Sequence, residues 1–92
     1  MNSEIAETIG LKALAWIAGN EDLLPVFMGA TGTSEADLKD RAMDPELLGA
    51  LLDFLLMDDA WITAFCEANG LAFDQPMQAR QALPGGALVH WT

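Results

Sequence analysis

The chain has 92 residues, of which 52% are hydrophobic and 20% charged. This composition excludes a disordered chain and favours one small domain over residues 1–92. Fourteen acidic residues against four basic ones give a net charge of −10. Phosphate backbones and anionic membrane surfaces are bound by clustered Lys and Arg, which are scarce here. We therefore expect no nucleic-acid partner and no membrane partner.

Targeting and redox signals favour the cytoplasm. The N-terminal residues lack the basic start of a secretory signal. The most apolar run, Leu47 to Met57, is far shorter than the roughly 20 residues that a membrane span needs. Cys66 is the only cysteine, so the chain cannot form an internal disulfide, which is typical of a reducing compartment. The sequence predicts a cytoplasmic protein.

The first predicted helix runs over 4–18, with Ser3 as its N-cap and Gly19 at its end. Its apolar residues, Ile5, Ile9 and Ile17 among them, fall on one face at helical spacing, whereas Leu11 falls on the polar face. Ala6, Gly10 and Ala13 lie inside that apolar arc, which predicts that a second helix approaches closely there.

Five further helices follow, each marked by its caps. Asn20 or Asp22 begins the second, and Pro25 falls in its first turn if Asp22 is the cap. Ser34 opens the third with a capping box. The fourth begins at Asp44-Pro45 and is apolar nearly all round, so we expect it to be the central buried helix, with only Glu46, Ala50 and Asp53 towards water. Trp16, Trp61, Met28 and Met77 are expected in the core. The predicted fold is therefore all-α, a compact bundle of about six short helices over 4–18, 23–30, 35–42, 45–57, 59–68 and 75–83, followed by an apolar tail over 84–92.

The chain also matches itself at a shift of 38 residues. Caps and glycine stops coincide along with apolar positions, which predicts two similar three-helix halves produced by an internal duplication. The alternative is that any two amphipathic helices of similar length align this well. The matched pairs include Leu14 with Leu52, Phe27 with Phe65, Ala30 with Ala68, Gly32 with Gly70 and, after one extra loop residue, Leu38 with Met77 and Arg41 with Arg80.

Three runs of the sequence resemble a known family. Residues 14–24, 27–38 and 52–56 are similar to a family of small bacterial proteins, the domain-of-unknown-function family numbered 3572. The resemblance spans roughly Ile5 to Leu83 and leaves out the tail after Pro84. It implies an all-helical cytoplasmic domain and carries no activity, cofactor or catalytic residue.

Catalytic chemistry finds no support in the residue pattern. The acidic pairs Glu21-Asp22 and Asp58-Asp59 stand where helices begin, so we expect helix caps rather than metal ligands. A reactive Cys66 would need a nearby base or cation, and its place on a packed helix favours a small buried side chain. We predict no catalytic, cofactor-binding or metal-binding residue.

The remaining prediction is a protein-interaction module without catalytic activity, either a homodimer or a partner of another protein. Leu11, Leu88 and Trp91 are the candidate contact residues, because they are apolar residues not accounted for by the core. The tail either folds back on its own chain or docks on another molecule. The alternative function is a carrier of a small hydrophobic ligand in a cavity between the two halves, suggested by the five Met and three Trp residues.

Overall fold

A computed structural model describes residues 1–83 of the chain. This range contains six α-helices and no β-strand, which confirms the predicted all-α fold. The tail over 84–92 lies outside the described residues. No helix within 1–83 combines the length and the apolar composition that crossing a bilayer requires. The helices are α1 (Ser3–Ala18), α2 (Leu23–Thr31), α3 (Glu35–Asp40), α4 (Pro45–Leu56), α5 (Asp59–Asn69) and α6 (Gln75–Ala82).

Side-chain caps begin most of these helices. The prediction of Ser3 as the first N-cap is wrong: Asn2 is the cap, and its Oδ1 accepts the Ile5 N–H at 2.8 Å. The capping box at the start of α3 is confirmed, since Ser34 and Asp37 each accept the other's backbone N–H. Asp44 caps α4 as predicted.

The centre of the molecule is the contact between α1 and α4, and α6 packs on both. Gly10 makes the close approach possible, because a Cβ built there would lie 2.7 Å from the Cβ of Leu48. The small residues on both sides of Gly10, Ala6 and Ala13, are fully buried in the same seam. The predicted close helix contact on this face of α1 is therefore confirmed.

Helix α4 occupies the interior position that was predicted for it. Seven of its twelve residues are buried. Its outer strip carries Glu46 and Asp53, both exposed, with Ala50 half-buried between them. The strip continues past the end of the helix to Met57, whose exposed fraction is 76%.

Aromatic contacts close the core, although two predicted core residues lie outside it. Trp16 meets Phe65 edge-on, and Trp61 stacks on Phe54 with 4.7 Å between ring centroids. Met77 is exposed, as is Ile5, which had been placed on the buried arc of α1. Ile5 belongs to the first turn of α1. Helix α6 buries a different face from the one expected, made of Pro76, Ala79 and the C-cap Leu83.

Candidate interaction surface

Helix α2 is held in place by one cap, one buried ring and one glycine. Asn20, and not Asp22, supplies the side-chain cap, because its Oδ1 accepts the N–H groups of Asp22 and Leu23. Phe27 points inward, is fully buried and packs edge-on against Phe54. Gly32 ends the helix at φ 75°, a left-handed conformation that glycine adopts without strain.

The opposite side of α2 is exposed and uncharged. No residue of Leu23–Thr31 carries a charge. Val26 is 48% exposed, and an added Cβ at Gly29 would meet nothing within 4 Å. Glycine inside a helix costs about 0.5–1 kcal/mol relative to alanine, and no neighbour in the described chain requires it at position 29. We name this exposed side, made of Pro25, Val26, Gly29 and Ala30, the α2 face.

An open groove of about 320 Å³ runs between α2 and α4 beside this face. Ala30 belongs to both, and Val26 lies one turn before Ala30 on the same side of the helix. Met57 forms part of the far wall with most of its side chain in solvent. The groove, called the α2–α4 groove below, is lined by Ala30, Thr31, Ala50, Asp53, Phe54 and Met57.

The charge around the groove is acidic. Neither α2 nor α4 contains a Lys or an Arg, whereas α4 presents Glu46 and Asp53 on its outer strip. Arg80 of α6 donates from Nε to Asp53 at 2.6 Å, but the Asp53 side chain remains 51% exposed. The groove therefore combines an apolar floor with one half-exposed carboxylate, that of Asp53, in its lining.

Helix α5 repeats the internal construction of α2 at the predicted shift of 38 residues. Asp58 accepts the N–H groups two and three residues later, as Asn20 does. Phe65 is fully buried, like Phe27. Gly70 ends α5 at φ 65°, and the side chains of Thr31 and Asn69 each donate to the carbonyl of the corresponding Phe.

The third helices of the two predicted halves differ. Leu38 is buried, whereas its counterpart Met77 is exposed. Arg41 pairs with Asp44 three residues later, whereas Arg80 pairs with Asp53 of another helix. The internal duplication thus stays a prediction.

The outer sides of α2 and α5 differ as well. The positions of α5 that correspond to Val26 and Gly29 carry Ala64 and Glu67, and the position that corresponds to Pro25 carries Thr63. All three are exposed. The outer side of α5 thus includes a hydroxyl and a carboxylate, where the α2 face has none. Two helices that share a cap, a fully buried phenylalanine and a glycine stop therefore differ in what they present to solvent.

A second, smaller depression lies at the other side of α2. Its volume is about 240 Å³, and it is open to solvent. Glu35 and Lys39 of α3 contribute charges of both signs to its wall. It is lined by Ala18, Leu24, Glu35, Leu38 and Lys39.

Of the residues considered for chemistry, Cys66 and Asp58 have structural roles, whereas the predicted cap at Glu21-Asp22 is wrong, since the side chain of Asp22 makes no cap hydrogen bond. Cys66 is buried, its Sγ lies 3.7 Å from the carbonyl oxygen of Ala72, and burial raises the pKa of its thiol, which disfavours the reactive thiolate. Asp58 caps α5, as expected. Within residues 1–83, no three His, Cys, Asp or Glu side chains come together in a group that could hold a metal ion.

The predicted contact residues are only partly described. Leu11 is half-buried and packs against the core cluster, so less of it is available than its place on the polar side of α1 suggested. Leu88 and Trp91 lie outside the described residues. The sequence did not identify Val26 and Met57 as surface residues, because its pattern does not decide which apolar residues of α2 face inward and leaves only Glu46, Ala50 and Asp53 of α4 towards water. In the 38-residue match Glu67 falls opposite Gly29, and this pair indicates that the outer sides of α2 and α5 differ.

Comparison with known families agrees with the resemblance in the sequence. The model of DUF3572, a protein family of unknown function, matches residues 3–86. The chain belongs to the DUF3572 family. Searches among curated proteins and among solved structures give no match. Membership of DUF3572 therefore supplies no activity.

Proposed function

We propose that this DUF3572 protein is a small protein-interaction module without catalytic activity, and that it binds through the α2 face and the α2–α4 groove. The proposal depends on one observation: α2 and α5 share a side-chain cap, a fully buried phenylalanine and a glycine stop, but the α2 face has no polar side chain where α5 carries Thr63 and Glu67. An exposed apolar side that folding does not require is typical of a binding surface.

The exposed glycine supports a close contact. Gly29 lowers the helical propensity of α2 while leaving open space above its backbone. A partner helix can approach most closely where side chains are smallest. Val26 and Met57 would then be the larger apolar groups on either side of that approach, and burying a side chain of this size contributes about 1.5–3 kcal/mol.

A paired substitution tests the proposal. Val26→Glu places a charge on the α2 face, and Ala64→Glu places the same charge at the corresponding position of α5. Both positions are exposed, so circular dichroism should show both variants folded. In quantitative co-purification from native cells with a tagged full chain, we expect partners to be depleted with Val26→Glu and retained with Ala64→Glu. Equal recovery with the two variants would refute the proposed surface.

Self-association is the competing form of the same proposal. Sedimentation equilibrium of the full chain distinguishes it, since a dimer that Val26→Glu dissociates would make a second copy the partner.

A cytoplasmic location is also part of the proposal, and the unpaired thiol of Cys66 supports it.

A carrier of a small hydrophobic ligand is less well supported. The volume of the α2–α4 groove is at the lower end of the range for small-molecule sites. Such sites enclose most of their ligand, however, and this groove is open and bordered by an exposed carboxylate. A saturable increase in the fluorescence of an apolar dye, lost with Met57→Glu and kept with Ala64→Glu, would favour this alternative.

A further inference from the structure

The charges beside the α2–α4 groove point to the class of partner. We propose, on the basis of the proposed function, that the groove binds an amphipathic helix whose apolar side is flanked by Lys or Arg. The apolar side would cover Val26, Ala30 and Met57, and the basic residues would face the carboxylates of the outer strip of α4.

Charge complementarity is the argument for this occupant. All fourteen acidic residues and all four basic residues lie within the described range, so residues 1–83 carry the whole net charge of −10. The two helices that form the groove contribute Glu46 and Asp53 and no basic residue. Both carboxylates are exposed, and Asp53 keeps half of its side chain in solvent although it pairs with Arg80, so both can still interact with cations on a partner.

The same charges disfavour the other occupants. A second copy would bring another −10 towards this edge, and like charges across an interface weaken association. An acidic helix would bring like charges towards these carboxylates, and a neutral helix would gain no attraction from them. A basic amphipathic helix has apolar residues that can cover the apolar floor and cations that can pair with the carboxylates.

The shape of the site also suits a helix. The α2 face presents small side chains along two turns, and the groove beside it has Ala30 and Ala50 on opposite walls. Small residues allow a partner backbone to lie close to α2, as Gly10 allows α4 to lie close to α1 in the core. Apolar residues at helical spacing on the partner can then enter the groove.

The test uses two synthetic helical peptides of about 14 residues, or four turns, with the same leucine side and with either lysine or glutamate on the other side. Binding of each labelled peptide to the full chain is measured by fluorescence anisotropy. We expect saturable 1:1 binding of the lysine peptide, weakened by salt, and no binding of the glutamate peptide.

Val26→Glu and Ala64→Glu separate a site from general charge attraction, because both variants carry the same net charge. We expect Val26→Glu to lower the affinity for the lysine peptide about tenfold or more, although the variant adds a negative charge. Ala64→Glu should leave that affinity unchanged. Equal binding by the two variants would show simple attraction to an acidic surface and would overturn the proposal.

Three further results would also overturn it. Equal affinity for the two peptides would reject the basic class of partner while leaving the apolar surface of the proposed function intact. Dissociation of a dimer by Val26→Glu would make a second copy the occupant. A rise of about tenfold in peptide affinity with Trp91→Ala would make the chain's own C-terminal segment the occupant.

Discussion

Helices α2 and α5 are built alike on the inside and unlike on the outside. Each begins at a side-chain cap, buries one phenylalanine completely and ends at a glycine with positive φ. On the exposed side, α5 carries Thr63 and Glu67 where α2 carries Pro25 and Gly29. None of these shared features requires the outer side of α2 to be apolar. Binding is the explanation we propose.

The largest expected effect tests the shared interior. Phe27→Ala and Phe65→Ala each remove a fully buried ring, and such changes cost about 3–5 kcal/mol of unfolding free energy. The two losses should agree within about 1 kcal/mol if the two helices have equivalent interiors. Urea unfolding followed by circular dichroism measures both. A difference of more than about 1 kcal/mol between the two losses would contradict the equivalence.

The next test separates a glycine of the core from the glycine of the α2 face. Gly10→Ala forces a Cβ against Leu48 and should cost about 1–3 kcal/mol. Gly29→Ala meets open space in a helix and should raise the free energy of unfolding by about 0.5–1 kcal/mol. Thermal unfolding of both variants and of the parent chain shows whether each substitution lowers or raises the stability. A destabilising Gly29→Ala would mean that the isolated chain itself needs this glycine, which removes one support for the binding surface.

The caps provide a smaller comparison. Asn20→Ala and Asp58→Ala each leave two backbone N–H groups without their side-chain acceptor, and each should cost about 1 kcal/mol. Chemical denaturation is sensitive enough to measure this difference. If one cap proved neutral while the other cost the full amount, the two helices would not begin in the same way.

The smallest expected effect depends on pH and distinguishes the cap of α4 from the amide cap of α2. The side-chain hydrogen bond from Arg41 lowers the pKa of Asp44 below its ordinary value of 3.8, and the Glu46 N–H adds to the effect. Ionised Asp44 therefore stabilises the folded state above that value, and the contribution is lost as the pH falls through the lowered pKa. The difference in unfolding free energy between the parent and Asp44→Ala should shrink in acid. The amide of Asn20 does not titrate. The difference in unfolding free energy between the parent and Asn20→Ala should therefore not show this loss in acid.

Most of the fold could be predicted from the sequence, because its signals are local. Asp44-Pro45 and the capping box at Ser34 each mark a helix start within a few residues, and both are confirmed. The apolar arc of α1 and the apolar character of α4 also predicted which helices meet at the centre. The first N-cap was misplaced by one residue, since Asn2 and Ser3 are both good caps and only the backbone conformation decides between them.

The errors concern faces rather than helices. Met77 was assigned to the core because it is large and apolar, but α6 buries the smaller Pro76 and Ala79 against α1 and α4. Which face a short helix buries depends on its neighbours, and periodicity alone does not contain that information. The same limitation hid the candidate site: the exposure of Val26 and Met57 depends on how α2 and α4 lie together.

Site-specific photo-cross-linking tests the central claim most directly. A photoreactive amino acid is placed at position 26 of the α2 face or at position 64 of α5, in the full chain expressed in its native cells. The account predicts a discrete cross-linked protein from position 26 and none from position 64. The same products from both positions, or a product from position 64 alone, would contradict it.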